Sequence, residues 1–257
     1  MIVRERENEF VLIKQHDHAQ VSGEMIMNWR DDLIKDTKLQ KSVEYAIYNH
    51  DVGWKPVDKQ PFWNDQKQEP YTFIDFPIPP KAVFYKHGIE EVMQHDTYAG
   101  LLCSRYYMNF LLQETSDEAK AFVEQERERQ QQIIESLSDF DKMVFDFHYA
   151  LLQICDSLSL FLCLNDPGVA MKDGHLFFRN GIPISAPLHG FNENKMELTW
   201  KDHDTVAIHE FPFENPITIT LKQKIITKEA ISTMGLIPSY EEAPLQKIDL
   251  LLVEGKK

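Results

Sequence analysis

The sequence predicts an α+β fold, with a mainly α-helical core over residues 1–165 and an antiparallel, β-rich region over residues 166–257 packed on it. Three observations predict it. Apolar residues recur at helical spacing through the first part, and the phrase Asn165-Asp166-Pro167-Gly168 stops that pattern. After it a two-residue alternation takes over, with Ile217, Ile219 and Leu221 set against Thr218, Thr220 and Lys222. Whether the β-rich region folds alone is left open.

Phe10-Val11-Leu12-Ile13 reads as a strand or extended lead-in. Asp17 offers an N-cap, and His18 to about Trp29 carries helical spacing at Val21, Met25 and Trp29. A second helix is expected from about Leu39 to Asn49, with Val43, Ala46 and Ile47 on one side. It ends at His50-Asp51-Val52-Gly53-Trp54-Lys55-Pro56, where Gly and Pro oppose continuation. Residues 57–80, rich in Pro, Gln and aromatics, read as a long loop, of the kind that more often covers a site than spaces two elements. Helical signals return from about Ile89 to Leu112 and from Asp117 to Leu137, where Glu124 to Gln132 reads as a solvated face. The helix from about Asp139 to Cys163 is the most apolar. Strands are expected at Phe177-Phe178, Met196 to Trp200, Val206 to Phe211, Ile217 to Ile226 and Ile248 to Val253.

Composition narrows the function classes. The net charge of −14, from 41 acidic and 27 basic residues, argues against a nucleic-acid polymer or an anionic membrane as main partner. An anionic small molecule stays open, because a bound metal ion reverses the local potential. Met1-Ile2-Val3-Arg4-Glu5-Arg6-Glu7 turns charged at once, so a secretory signal is not expected. No run reaches the roughly 20 apolar residues that span a bilayer. Cys103, Cys155 and Cys163 sit in apolar stretches and read as free thiols of a cytoplasmic protein.

Three polar clusters interrupt this pattern: Gln15-His16-Asp17-His18, His50-Asp51, and Asp156 within Leu151 to Leu160. Asp156 is the most diagnostic, since a carboxylate among Leu, Ile and Cys bears a large desolvation cost unless a cation or strong donors face it. Each cluster alone has a plain reading. Asp156 can be a hydrogen-bonded acid capping a neighbouring helix, His50 and Asp51 a helix end, and His18 a helix-start residue.

Together, the order His18, then His50-Asp51, then a distant Asp156 on an apolar helix resembles the HD superfamily of metal-dependent phosphohydrolases. The resemblance implies a divalent-metal site formed by these four residues. Imidazole and carboxylate ligands suit Mn, Fe, Zn, Ni or Co. His50-Asp51-Val52-Gly53-Trp54-Lys55-Pro56 is also similar to the HD-plus-Gly-Lys phrase of cyclic-dinucleotide phosphodiesterases, although Trp54 moves Lys55 one place along. A closer resemblance, through most of the chain, is to an uncharacterised bacterial family that carries a domain-of-unknown-function label. It rests on Gln15-x-Asp17-His18, His50-Asp51-x-Gly53-Trp54, Asp96-x-Tyr98-Ala99-x-Leu101-Leu102-x-Ser104, Asp156-x-Leu158-Ser159 and Phe211-Pro212-Phe213. Where that family commonly has a His two residues after Ser104, this chain has Tyr106, which shifts the expectation to one metal.

The expected activity is hydrolysis of a phosphate ester or nucleotide, with Asp51 orienting water and Lys55 or Arg105 neutralising charge. Arg105 reads equally as a surface ion pair. The rival readings are an HD-fold di-iron oxygenase and a non-catalytic module that binds a metal or nucleotide; a homodimer is left open. Among other residues, Asp96 after His95 reads as an N-cap, and His148 as a packed core residue. His16 points away from His18 along a helix. His175, His189, His203 and His209 show no ligand-like spacing. Trp54, Phe62 and Trp63 either line a pocket mouth or pin the long loop.

Overall fold

The computed structural model describes residues 1–34, 38–188 and 190–256. The chain opens with β1 (Ile2–Glu5) and β2 (Glu9–Ile13), then α1 (Gln15–Met27) and α2 (Gln40–Asn49). A short hairpin, β3 (Trp63–Asn64) and β4 (Glu69–Pro70), precedes four longer helices. These are α3 (Ile78–His95), α4 (Thr97–Leu111), α5 (Asp117–Ser136) and α6 (Lys142–Leu164). The C-terminal part holds β5 (Ile182–Pro183), β6 (Lys195–Met196), β7 (Leu198–Trp200), β8 (Thr205–Ile208), β9 (Ile217–Thr227), α7 (Lys228–Met234), α8 (Leu236–Glu242) and β10 (Gln246–Glu254). The architecture is α+β, a helical core with a sheet packed on it.

The main sheet has the order β1-β2-β9-β10-β8-β7. Its neighbours are antiparallel except β10 and β8, which run parallel. β9 follows the expected alternation, with Ile217, Ile219 and Leu221 buried and Thr218 and Thr220 facing away. The lead-in at 10–13 is a full strand: β2 pairs with β9, Phe10 opposite Ile226 and Val11 opposite Ile225. α1 packs on α2, α6 and β9, so the first helix sits between the helical core and the sheet. α6 is long and apolar enough to cross a membrane, and 89% of its most apolar window is buried inside the protein.

Several expectations change here. α1 begins at Gln15, and its cap is not Asp17, which lies in the first turn. The helix start is satisfied from outside instead: the His16 backbone N–H donates to Asp58 Oδ2 at 2.9 Å. The helix also ends at Met27, so Trp29 lies beyond it, edge-on to Phe213 at 5.7 Å. The single helix expected over 89–112 is two, broken where Asp96 is extended (φ −152°, ψ 115°) and its Oδ1 accepts from Ala99 N at 2.8 Å. That is the N-cap role expected for Asp96. α3 starts well before Ile89, with prolines in its first turn, where a missing N–H costs nothing. Phe177-Phe178 is not a strand. Residues Leu176–Phe178 form a 3-10 turn, its start satisfied by the His175 ring accepting from Phe177 N. β8 stops at Ile208, and Glu210 beyond it takes a positive φ of 64° that ends the strand.

Residues 57–80 are pinned by aromatic packing. Trp54 is buried, edge-on to Phe76 at 5.6 Å and to Tyr85 at 5.9 Å. Phe62 reaches Phe76 at 5.7 Å. Trp63 sits at the edge of a smaller cluster with Phe10 and Tyr240.

Candidate metal centre

Three elements bring four side chains together, and three of these, His18, His50 and Asp51, form the group that could hold an ion. His18 comes from the second turn of α1, His50 and Asp51 from the end of α2, and Asp156 from α6. His18, His50 and Asp51 each present one ligand atom, all within 4.8 Å of one another. His18 Nε2 lies 2.9 Å from Asp51 Oδ2 and 3.8 Å from Asp156 Oδ1. His50 Nε2 lies 3.4 Å from Asp156 Oδ1 and 3.8 Å from Asp51 Oδ2. Donors about 2.0–2.2 Å from one ion stand roughly 3–4 Å apart, so these spacings suit a shared ion.

The outer partners fix which nitrogens face inward. His50 Nδ1 lies 2.7 Å from the Ile47 carbonyl oxygen, which can only accept. The hydrogen is therefore on Nδ1, and Nε2 of the neutral ring offers a lone pair. His18 Nδ1 lies 2.7 Å from Ser159 Oγ. Ser159 gives its own proton to the Asp156 carbonyl at 2.9 Å, and Ser22 Oγ stands 2.7 Å away, within 3.3 Å of the His18 and Cys155 carbonyls. With the Ser159 proton committed, its Oγ accepts from His18 Nδ1–H, the tautomer that turns the Nε2 lone pair inward; in the other tautomer Nε2–H donates to Asp51 Oδ2. Two imidazole lone pairs facing two carboxylates repel unless a proton or a metal ion lies between them. His50 Nε2 and Asp156 Oδ1 are both buried with no hydrogen-bond partner. These residues fit a divalent ion.

The two carboxylates make this a point where positive charge, a proton or an ion, is favoured. Burial alone would depress His50, but Asp51 and Asp156 outweigh it and hold the imidazole above its ordinary pKa. Burial would raise Asp51, but His50, His18 and a Gln15 hydrogen bond keep it below the usual carboxylate range. His16 lies outside the ligand group. Burial, then Lys55, lower its pKa to about 4, so its ring is neutral at physiological pH.

The turn that carries Asp51 needs its glycine. A Cβ on Gly53 would stand 2.2 Å from the Phe84 carbonyl oxygen in α3, and one on Gly88 would stand 2.8 Å from Gly53 N. The two backbones touch, and only glycine lets α3 lie this close behind the turn.

Comparison with known proteins now places the chain. A family model matches residues 1–228. The chain belongs to the family described as protein of unknown function (DUF3891). The match ends at the first residue of α7, so almost all of α7, with α8 and β10, lies beyond it. No curated protein matches the chain. No solved structure matches it either.

The remaining candidates are placed as follows. Tyr106 packs edge-on against His50 with ring centroids 4.9 Å apart. Lys55 is half-exposed, its ammonium 3.6 Å from Glu91. The Arg105 guanidinium pairs with Asp146 at 3.1 Å and lies over the Tyr149 ring at 4.7 Å. His148 accepts or donates with the Tyr98 hydroxyl at 2.8 Å in the core, and His95 packs on Tyr45. His203 bonds the Pro167 carbonyl, while His209 lines a cleft of about 660 Å³ at the far end of the sheet. His189 lies outside the described residues. The cysteines are buried and inert, with Cys163 raised to about 12 by burial and the other two also raised by burial.

Sequence reading missed Ser22 and the role of Ser159. The available signal was spacing: Ser22 stands four residues after His18 and Ser159 three after Asp156, each one helical turn along the same face.

Proposed function

We propose that the chain is a metal-dependent phosphohydrolase of the HD type, acting on a small phosphate ester or nucleotide. The observation that carries this reading is the convergence of His18, His50, Asp51 and Asp156, with His50 Nε2 and Asp156 Oδ1 left unpartnered in the interior. In this reading all four bind one divalent ion, of the Mn, Fe, Zn, Ni or Co class. The ion would supply Lewis acidity, which activates water near neutral pH and polarises a phosphoryl oxygen. The protein's part is positional. Ser159 and the Ile47 carbonyl hold the two imidazoles in the tautomers that face inward. Asp51 both binds and orients the attacking water through the oxygen not committed to His18. Lys55 and Arg105 supply positive charge to the developing phosphoryl group, each exchanging a carboxylate partner, Glu91 or Asp146, for the phosphate.

The single ligand group among the described residues favours one metal and weighs against a di-iron oxygenase. The test pairs elemental analysis of protein purified without added metal with a panel of phosphoesters and nucleotides. About one equivalent of metal and turnover of at least one phosphoester are expected. Asp51→Ala and Asp156→Ala are each expected to lose metal and hydrolysis together. Full occupancy in either variant would remove that residue from the ligand set. Bound metal without turnover of any phosphoester would favour a non-catalytic binding module.

A further inference from the structure

Tyr106 stands on α4 against His50 of the metal centre. Its ring meets His50 edge-on at 4.9 Å, while Phe110 at 4.8 Å and Tyr107 at 5.6 Å hold it from other sides. The ring is therefore locked, and the side chain is buried. Among the described residues, no group hydrogen-bonds its hydroxyl. With no protein partner, that hydroxyl is available to a ligand. A phenol hydroxyl carries its proton at neutral pH and can donate it. Asp156 is also the most open of the four ligand side chains, 10% exposed against 0–2% for His18, His50 and Asp51. Of the four, Asp156 is thus the side chain that solvent reaches most.

We propose that the Tyr106 hydroxyl is a substrate-contacting group, donating a hydrogen bond to a phosphoryl oxygen of the anion held at this centre. The inference rests on the phosphohydrolase reading. Asp51 and Asp156 repel an anion until a cation neutralises them, so the contact forms only in metal-loaded protein.

The test is calorimetric titration of inorganic phosphate into metal-loaded wild type, metal-loaded Tyr106→Phe and chelator-treated wild type, with metal content and melting temperature measured on each. Phenylalanine keeps the ring packing and removes only the donor. The expected result is unchanged metal content and melting temperature, phosphate affinity weakened about tenfold or more in Tyr106→Phe, and no binding after chelation. Equal affinity in wild type and Tyr106→Phe overturns the role of Tyr106 and leaves the phosphohydrolase reading standing. Phosphate binding that survives chelation also overturns it, by placing the anion elsewhere. Absence of phosphate binding to metal-loaded wild type overturns both.

Discussion

His18 is oriented by two buried hydroxyls, Ser159 and Ser22. Ser159 Oγ stands 2.7 Å from both His18 Nδ1 and Ser22 Oγ, and sends its proton to the Asp156 carbonyl. Without that acceptor the His18 ring could exchange tautomers or turn, and its Nε2 would no longer be committed to the centre. Ser159→Ala is therefore expected to weaken metal affinity by about 10–100-fold, measured by chelator competition. The same substitution should change thermal stability little compared with its effect on the metal. An affinity equal to wild type would show that packing alone fixes His18.

At the scale of elements, the turn after α2 is placed by its contact with α3. Gly53 and Gly88 allow a backbone approach that any side chain would block, and Gly53 is two residues from Asp51. Gly53→Ala should destabilise the protein by about 1–3 kcal/mol, because the obstacle is the Phe84 backbone carbonyl rather than a flexible side chain. Urea denaturation reads the loss, and metal content is expected to fall with it as Asp51 is displaced. A variant as stable as wild type would mean that α3 can shift at no cost. The break at Asp96 is a contrasting case: its carboxylate caps α4 and takes the Ser42 hydroxyl at 2.7 Å.

At the scale of the whole molecule, the two halves of the sequence are woven together. β2 pairs with β9, Arg30 N donates to the Pro212 carbonyl, and the buried Arg4 guanidinium bonds both the Asn165 carbonyl and Gln223 Oε1. β10 lies between β9 and β8, with Leu250 and Leu252 in the core. A chain ending at residue 228, where the family match stops, would lose that strand and leave two others unpaired along one edge. Such a fragment is expected to lack a cooperative thermal transition and to aggregate, seen by circular dichroism and gel filtration. A monomeric fragment melting like the full chain would show β10 to be dispensable.

Much of this was legible along the chain. Periodicity located α2, α5, α6, β9 and β10 closely, because each carries a long stretch of one repeat whose buried face is written in its own residues. The three polar clusters stood out for the same reason, as chemistry that an apolar helix or a helix end does not need. What failed was whatever depends on distant partners. The start of α1 takes its acceptor from Asp58, and the short helices α7 and α8 have too few turns to show a period. The sequence by itself determined the α+β class and the residue types that could hold an ion. Only the tertiary structure decided that His18, His50 and Asp51 meet within 4.8 Å, that Ser159 aims one imidazole, and that Tyr106 lies against the other. Convergence is a property of packing between α1, α2, α4 and α6, and no local pattern on one helix encodes its distance to another.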